Sequence, residues 1–250
     1  MATPFLFFIV LLFGLTAGSF LNCVVYRLEN NRSFLAGRSF CPRCKHVLAW
    51  YDLMPVLSFL LLGGKCRHCQ KKISFQYPLV EIAVALLFLA IFYYRLPVFS
   101  YFLSLFLIVI FIYDLKHYLI LDKVIYPAIG LTLIYDLLRF DLFTNWNLLI
   151  SAIGASGFFL LIVLASRGKW MGVGDIKLAF LMGLILGWPN ILVALFFAFL
   201  SGATIGVGLV LARRKSFKSE VPFGPFLVAG TIVAMFYGQA LINWYLNLYV

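Results

Sequence analysis

A carboxylate stands directly behind two glycines in the stretch Gly172-Val-Gly-Asp175, at the start of an apolar run. A charged carboxylate at membrane depth costs ~2.5–3.5 kcal/mol on insertion scales, so its default interpretation is functional. The glycines lack a Cβ, so they would let a substrate main chain approach the acid closely. The structural alternative is a helix N-cap, a position at which Asp is a preferred residue. A second carboxylate at the same depth would favour catalysis.

The elements that must hold Asp175 are membrane helices. The chain of 250 residues is 64% hydrophobic and 12% charged, with a mean hydropathy of +1.03, whereas soluble proteins are about one quarter charged. Its apolar runs reach the roughly 20 residues that cross a bilayer. The net charge of +11 then reflects basic cytoplasmic loops, and nucleic acid is not expected as a partner.

Hydropathy and charge together predict about eight transmembrane helices, with both termini outside. The predicted spans are Pro4–Val25, Pro78–Tyr94, Phe99–Tyr113, Val124–Leu138, Trp146–Ala165, Ile176–Trp188, Ile191–Ala212 and a last span that ends near the C-terminus. Of the 20 lysines and arginines, only Arg95 and Arg139 fall on the outer side, as the positive-inside rule requires. In the fifth span, Gly154 and Gly157 predict close helix packing.

In this topology a second carboxylate lies at the depth of Asp175. Asp114 ends the third span and Asp175 starts the sixth, so both lie at the cytoplasmic membrane boundary. Aspartic proteolysis needs two such acids: the ionised one takes a proton from water, and the protonated one polarises the scissile carbonyl. His117 is the only histidine outside the cysteine-bearing loop, and no HExxH motif is present. The alternative is that both aspartates are interfacial caps.

The one substantial soluble insert, residues 27–77, carries two CxxC pairs. Cys41 and Cys44 are separated from Cys66 and Cys69 by 21 residues, which is close to the spacing of structural zinc sites. Two disulfides are the alternative, but structural disulfides are rare in the reducing cytoplasm. The sequence therefore predicts an all-α polytopic membrane protein in three parts. They are a first transmembrane helix (1–26), a small cytoplasmic zinc-knuckle insert (27–77) and a seven-helix membrane aspartic protease core (78–250).

Several stretches along nearly the whole chain match one family. They are Gly18-Ser-Phe-Leu-Asn-Cys-Val-Val-Tyr-Arg27, both CxxC pairs, Trp50-Tyr-Asp-Leu-Met-Pro-Val-Leu-Ser58, Tyr77-Pro-Leu-Val-Glu81, Asp114-Leu-Lys116, Gly172-Val-Gly-Asp-Ile-Lys177 and Pro222-Phe-Gly-Pro225. With these motifs the chain resembles the bacterial prepilin peptidases, also called type IV leader peptidases, which are GxGD-type membrane aspartic proteases. Two positions depart from the family pattern: Leu121 stands where proline is common, and Leu53 stands where asparagine is frequent.

The resemblance implies an activity and a place for it. It implies cleavage of the basic leader from type IV prepilins and pseudopilins after a glycine, at the cytoplasmic face of the bacterial inner membrane. The catalytic pair of the family corresponds to Asp114 and Asp175. Many relatives with the cysteine-bearing insert also methylate the new N-terminus, using S-adenosylmethionine. Substrate proteins and membrane lipid are the partners expected from this resemblance.

The methyl-donor site is less defined than the catalytic pair. No GxGxxG follows a strand pattern, so a dinucleotide-type fold is not expected. The cofactor would be held by the inner loop and the first helix. Gly18, Asn22 and Glu81 are candidates, because they are small or polar residues at one membrane boundary within the family-like stretches.

Other interpretations differ in class. A presenilin-like or preflagellin-type protease shares the GxGD motif, but the four-cysteine insert favours the bacterial pilin branch. A transporter with a zinc-stabilised loop would have acids or broken helices near the bilayer midplane. A non-enzymatic assembly factor of a secretion machine is the third alternative. If the chain is a protease, Asp175 at a helix start is expected to be the ionised base and Asp114 at a helix end the protonated partner.

Overall fold

The computed structural model describes residues 2–30, 32–33, 37–139, 146–212 and 221–248. These residues form α-helices, one 3₁₀-helix at Trp50–Leu53 and two isolated β-bridges. The α-helices are α1 (Ala2–Glu29), α2 (Leu57–Leu61), α3 (Gln76–Tyr93), α4 (Phe99–His117), α5 (Asp122–Leu138), α6 (Trp146–Ser166), α7 (Val173–Leu186), α8 (Asn190–Leu211) and α9 (Gly224–Leu246). The predicted all-α class is therefore confirmed.

Six helices are long and apolar enough to cross a membrane within the described ranges: α1, α3, α4, α6, α8 and α9. The other two predicted spans are helical but shorter, with 17 residues in α5 and 14 in α7. A helix of 14 residues rises only about 21 Å, which is less than the ~30 Å of hydrocarbon in a bilayer. The chain is a multi-pass membrane protein in which α7, the helix that carries Asp175, is short.

The chain divides into two compact units, Met1–Leu105 and Phe106–Val250, with the boundary inside α4. In the first unit, α1 packs directly against α3. A Cβ added at Gly14 would lie 2.6 Å from Ala85 Cα, and one at Gly18 would lie 2.6 Å from Glu81 Cα. The two backbones meet with no side chain between them, as small residues permit for helices in lipid.

The second unit contains two tightly paired sets of helices, α6 with α7 and α8 with α9. A Cβ at Gly183 of α7 would lie 2.3 Å from Ala152 Cα of α6. A Cβ at Gly230 of α9 would lie 2.3 Å from the Ala194 carbonyl oxygen of α8. These contacts fix the height of α7 and α9, the helices whose first turns build the candidate site.

The predicted role of Gly154 and Gly157 in helix packing is wrong. A Cβ at either position would meet no atom of the described residues within 4 Å. The face of α6 that packs against α7 instead carries Ala152, which is fully buried. The sequence shows small residues on several faces of α6, and only the partner helix decides which face is used.

Candidate active site

Asp175 is the third residue of α7 and reaches back over the helix start. Gly172 is the N-cap, with φ −84° and ψ 157°, and its N–H donates a hydrogen bond to Asp175 Oδ2 at 3.2 Å. Asp175 is thus not the N-cap that the structural alternative supposed, although it does serve the helix start. A helix cap contributes about 0.5–2 kcal/mol, less than the ~2.5–3.5 kcal/mol cost of a charged side chain at membrane depth. Capping alone therefore does not account for this acid.

Asp114 lies in the last turn of α4, three residues before the helix ends at His117. Its carboxylate accepts a hydrogen bond from the backbone N–H of Gly224, the first residue of α9. A Cβ at Gly224 would lie 2.6 Å from Asp114 Oδ2. The positive end of α9 therefore faces Asp114, as helix N-termini face bound anions. From the sequence, Asp114 is expected to be the protonated partner because it lies at the negative, C-terminal end of α4. The structure adds the positive, N-terminal end of α9, which has the opposite effect.

Ile120 packs beside both aspartates, against a glycine next to each. Its side chain is buried and lies against both glycines that adjoin the acids. A Cβ at Gly174 would stand 2.9 Å from Ile120 Cβ, and one at Gly224 would stand 3.4 Å from Ile120 Cδ1. The absence of a Cβ at Gly174 thus makes room for Ile120, in the link between α4 and α5. From the sequence alone, this space is predicted to admit the main chain of a substrate.

The two carboxylates form one electrostatic site. Asp114 is 5% exposed and Asp175 is 8% exposed, and the charge of Asp114 acts on Asp175 by repulsion. Each acid receives one backbone N–H from a glycine at a helix start. Two buried carboxylates that repel each other favour a state in which one proton is shared between them. This is the arrangement that activation of a water molecule by two aspartates requires.

The four predicted cysteine ligands come together in the first unit. The Sγ atoms of Cys41, Cys44, Cys66 and Cys69 all lie within 4.8 Å of one another, and Cys41 and Cys69 are 3.9 Å apart. Zn–S bonds of about 2.3 Å in a tetrahedron place sulfur atoms about 3.8 Å apart. The cluster can hold a tetrahedral metal ion, whereas a disulfide would need a sulfur–sulfur distance of about 2 Å.

The pKa values of two of the cysteine thiols are shifted by their neighbours in the cluster. Burial raises the pKa of the Cys41 thiol, but hydrogen bonds from the backbone N–H groups of Cys44 and Arg43 outweigh it and lower the value to about 7. A backbone hydrogen bond from His46 favours the Cys44 thiolate. Desolvation and the neighbouring sulfur atoms nevertheless raise the pKa of Cys44 to about 11. Four adjacent thiolates repel one another unless a cation lies between them.

The three candidate methyl-donor residues lie together where α1 meets α3. Gly18 is in backbone contact with Glu81. Asn22 is buried and donates a hydrogen bond to the Tyr77 carbonyl oxygen at 3.0 Å, and Glu81 Oε2 accepts one from the Val56 N–H at 2.7 Å. These contacts tie the insert to the two helices. They give each residue a structural role, so binding of S-adenosylmethionine at this place stays a prediction.

Comparison with known proteins places the chain in a family. The Bacterial Peptidase A24 N-terminal domain matches residues 12–95, and the type IV leader peptidase family matches residues 101–207. A protein of Aeromonas salmonicida (strain A449) named prepilin leader peptidase/N-methyltransferase is 32% identical over 98% of this chain and 95% of its own length. The chain belongs to the type IV leader peptidase family.

Two further relatives carry the same printed name. One from Bacillus subtilis (strain 168) is 34% identical over 96% of this chain and 98% of its own length. One from Pseudomonas aeruginosa is 29% identical over 95% of this chain and 92% of its own length. No solved structure matches the chain significantly. The resemblance inferred from the motifs is therefore confirmed.

At Leu121, where the family commonly has proline, the backbone keeps a φ angle that proline could also adopt. Leu121 is the N-cap of α5 with φ −71°, a value that lies within the range that proline would impose. Beyond it, Asp122 forms an ion pair with Lys177, whose ammonium also lies 4.8 Å from the centre of the Tyr126 ring. The lysine that follows the GxGD motif of this leader peptidase is thus bound to a third carboxylate.

Sequence reasoning missed Ile120 and Gly224 as site residues. Gly224 lies in the family-like stretch Pro222-Phe-Gly-Pro225, and a glycine at a helix start before a proline was the available signal. Ile120 gave no signal, because an aliphatic residue in a short link has no distinctive chemistry. Both act by position: one donates to Asp114, and the other fills the space between two glycine backbones.

We expect the variant Gly224→Ala to fold but to lose turnover of a leader-peptide substrate. The added methyl group would displace the Asp114 carboxylate, and a displacement of 1 Å can cost about 100-fold in rate. The loss should fall on kcat with little change in KM. The matched control is Gly206→Ala, since a Cβ there would meet nothing within 4 Å. Equal rates for the two variants would contradict this role of Gly224.

Proposed function

We propose that this chain is a membrane aspartic endopeptidase that removes the basic leader from type IV prepilins and pseudopilins. The observation that supports it best is the pair of buried carboxylates, Asp114 and Asp175, which interact electrostatically. The printed name shared by the full-length relatives supports the same reaction and substrate class. The chemistry of a transporter or an assembly factor does not require two such buried acids that repel each other, one at the end of α4 and one at the start of α7.

The proposed reaction uses the pair as one base and one acid. The ionised aspartate takes a proton from water while the protonated aspartate donates a hydrogen bond to the scissile carbonyl. The water oxygen adds to the carbonyl carbon, and collapse of the tetrahedral intermediate transfers a proton to the leaving amine. Asp175 is proposed as the base. Because Gly224 also donates to Asp114, the electrostatic difference between the two acids is smaller than their positions on α4 and α7 suggest.

The proposed location is the bacterial inner membrane, with both termini outside and the site at the cytoplasmic face. A prepilin carries a basic leader followed by an apolar helix, so it can enter sideways from the bilayer. The positive-inside distribution of the lysines and arginines supports this orientation. Lipid and the substrate protein are thus the proposed partners.

S-adenosylmethionine is the proposed second cofactor, since the relatives' name includes N-methyltransferase. When bound it supplies the methyl group that is transferred to the new N-terminal amine. Gly18, Asn22 and Glu81 are proposed to shape its site at the contact of α1 with α3. Cleavage precedes methylation, because the accepting amine is a peptide nitrogen until the leader is removed; the new amine must also lose its proton before it can accept the methyl group.

Zinc is the metal proposed for the cluster of Cys41, Cys44, Cys66 and Cys69. Four thiolates close a tetrahedral site and leave no open position for catalysis, so the ion would be structural. It would hold the two CxxC turns of the insert together. The isolated bridges Phe40–Val47 and Lys65–Lys72 close one such turn each.

Metal analysis of the purified chain should find about one zinc per molecule. Cys41→Ser should lose the zinc and lower the unfolding temperature of the protein. Cys23→Ser is the matched control, because Cys23 lies in α1 outside the cluster. A zinc-free wild-type protein, or equal zinc loss in both variants, would show that the cluster is not a zinc site.

The peptidase proposal is tested with a synthetic prepilin-like peptide and S-adenosylmethionine, followed by mass spectrometry. The wild type should release the leader, and methylation should add about 14 Da to the product, the mass of one CH₂ unit. Asp175→Asn should insert into membranes and release no leader. Asp122→Asn is the matched control: it removes a carboxylate from the neighbouring helix start, and that side chain is 61% exposed.

The outcomes separate the two halves of the proposal. Release of the leader without a mass increase would contradict the proposed methylation and support the proposed peptidase activity. Full cleavage by Asp175→Asn would overturn the proposed peptidase mechanism. The chain would then be better interpreted as a transporter or an assembly factor.

A further inference from the structure

Most of the segment between the two cysteine pairs carries no exposed charged side chain. We call residues 50–64 the apolar linker; it contains the 3₁₀-helix Trp50–Leu53 and α2. Its only charged residue is Asp52. That side chain is 4% exposed and pairs with Arg67 at 2.9 Å. A long surface segment without an exposed charge is unusual for a loop in water.

The outward face of α2 is built from leucines. Leu57, Leu60 and Leu61 are 57%, 65% and 84% exposed, and the spacing i, i+3, i+4 places them on one face. A helix at a water-facing surface turns polar residues outward instead. Trp50 is 74% exposed beside them. A contiguous apolar surface of this kind marks an interaction site.

A hydrogen bond fixes the depth of the apolar linker. The Val56 N–H, directly before α2, donates to Glu81 Oε2 at 2.7 Å. Glu81 is the sixth residue of α3, about 7.5 Å from the helix start. The 18 residues of α3 rise about 27 Å, which is less than the ~30 Å hydrocarbon thickness. A bilayer that α3 crosses with nearly all of its residues would therefore reach the level of Glu81 and of Val56.

The membrane span beside α2 also exposes apolar side chains. Leu79, Ile82 and Leu86 are exposed along one side of that helix. Phe75 precedes α3, is 73% exposed, and packs against Phe59 of α2 with ring centroids 5.4 Å apart. The contact between Phe75 and Phe59 therefore holds α2 beside the start of a membrane span, and both helices carry exposed apolar side chains.

The charges beside the apolar linker suit a lipid surface. Lys65, Lys71 and Lys72 follow it and are exposed. Lysines next to a membrane surface are attracted by anionic headgroups. Trp50 and Tyr51 are the residue types enriched where hydrocarbon meets headgroups. The apolar linker and its flanking residues thus combine the apolar, aromatic and basic side chains that a bilayer and its headgroup surface accommodate.

We propose that the apolar linker is inserted into the bilayer leaflet at which α3 begins, with α2 in contact with phospholipid acyl chains. The zinc-type knuckles on either side of it would then lie at the headgroup surface. This anchoring is independent of the peptidase reaction and assigns the insert a membrane-binding role.

The test places the photoreactive residue p-benzoylphenylalanine at Leu61, and separately at Leu57, in the full chain. The protein is reconstituted in vesicles of phosphatidylcholine and phosphatidylglycerol together with a prepilin substrate. Leu79 serves as the lipid-facing reference, since it is 63% exposed on a membrane helix. Arg43, exposed within the first CxxC turn, serves as the water-facing reference. Retained metal content identifies correctly folded variants.

We expect the Leu61 and Leu57 labels to form phospholipid adducts with a yield close to that at Leu79 and several-fold above that at Arg43. The adducts should persist when the substrate is present. Transfer of the label to the prepilin, to a second copy of the chain, or to no lipid beyond the Arg43 level would overturn the proposal.

Discussion

The contact of Gly224 with Asp114 is the constraint on which the candidate site depends. The first residue of α9 has to come within hydrogen-bond distance of a carboxylate, and only a residue without a Cβ leaves room for this approach. Gly172 also donates its backbone N–H to a carboxylate, that of Asp175, although a Cβ at Gly172 would meet this carboxylate only at 3.9 Å. Each buried acid is therefore stabilised by a backbone N–H at the start of a helix, where the macrodipole also favours negative charge. Ile120 packs against the backbones of Gly224 and Gly174.

Short contacts between helices transmit this constraint through the second unit. Membrane helices gain no hydrophobic free energy by leaving lipid for one another, so close packing and hydrogen bonds must hold them. Gly183 against Ala152 sets α7, and Gly230 against the Ala194 carbonyl sets α9. Phe223, directly before Gly224, packs against the ring of Phe199 with centroids 5.1 Å apart. A site of two acids thus depends on small and aromatic residues far from the carboxylates themselves.

The sequence predicted the parts of this protein that depend on local pattern. Long apolar runs predicted the helices, lysines and arginines predicted the loops, and the paired CxxC spacing predicted the cluster that the structure forms. Local pattern does not predict which glycines pack against another helix. Gly154 and Gly183 both lie in apolar helices, but of the two only Gly183 contacts a neighbouring backbone. Gly224 and Ile120 act through residues distant in the chain, so no spacing rule identified their roles.

The central claim is that Asp114 and Asp175 act as one unit. It is tested most directly by the affinity of a prepilin peptide whose scissile carbonyl is replaced by a hydroxymethylene group, a mimic of the tetrahedral intermediate. Binding is measured by calorimetry to the wild type, to Asp114→Asn, to Asp175→Asn and to the double variant. If the acids share the hydroxyl, each single variant loses most of the affinity and the double variant loses little more. Losses that simply add, or a single variant that binds like the wild type, would contradict the account.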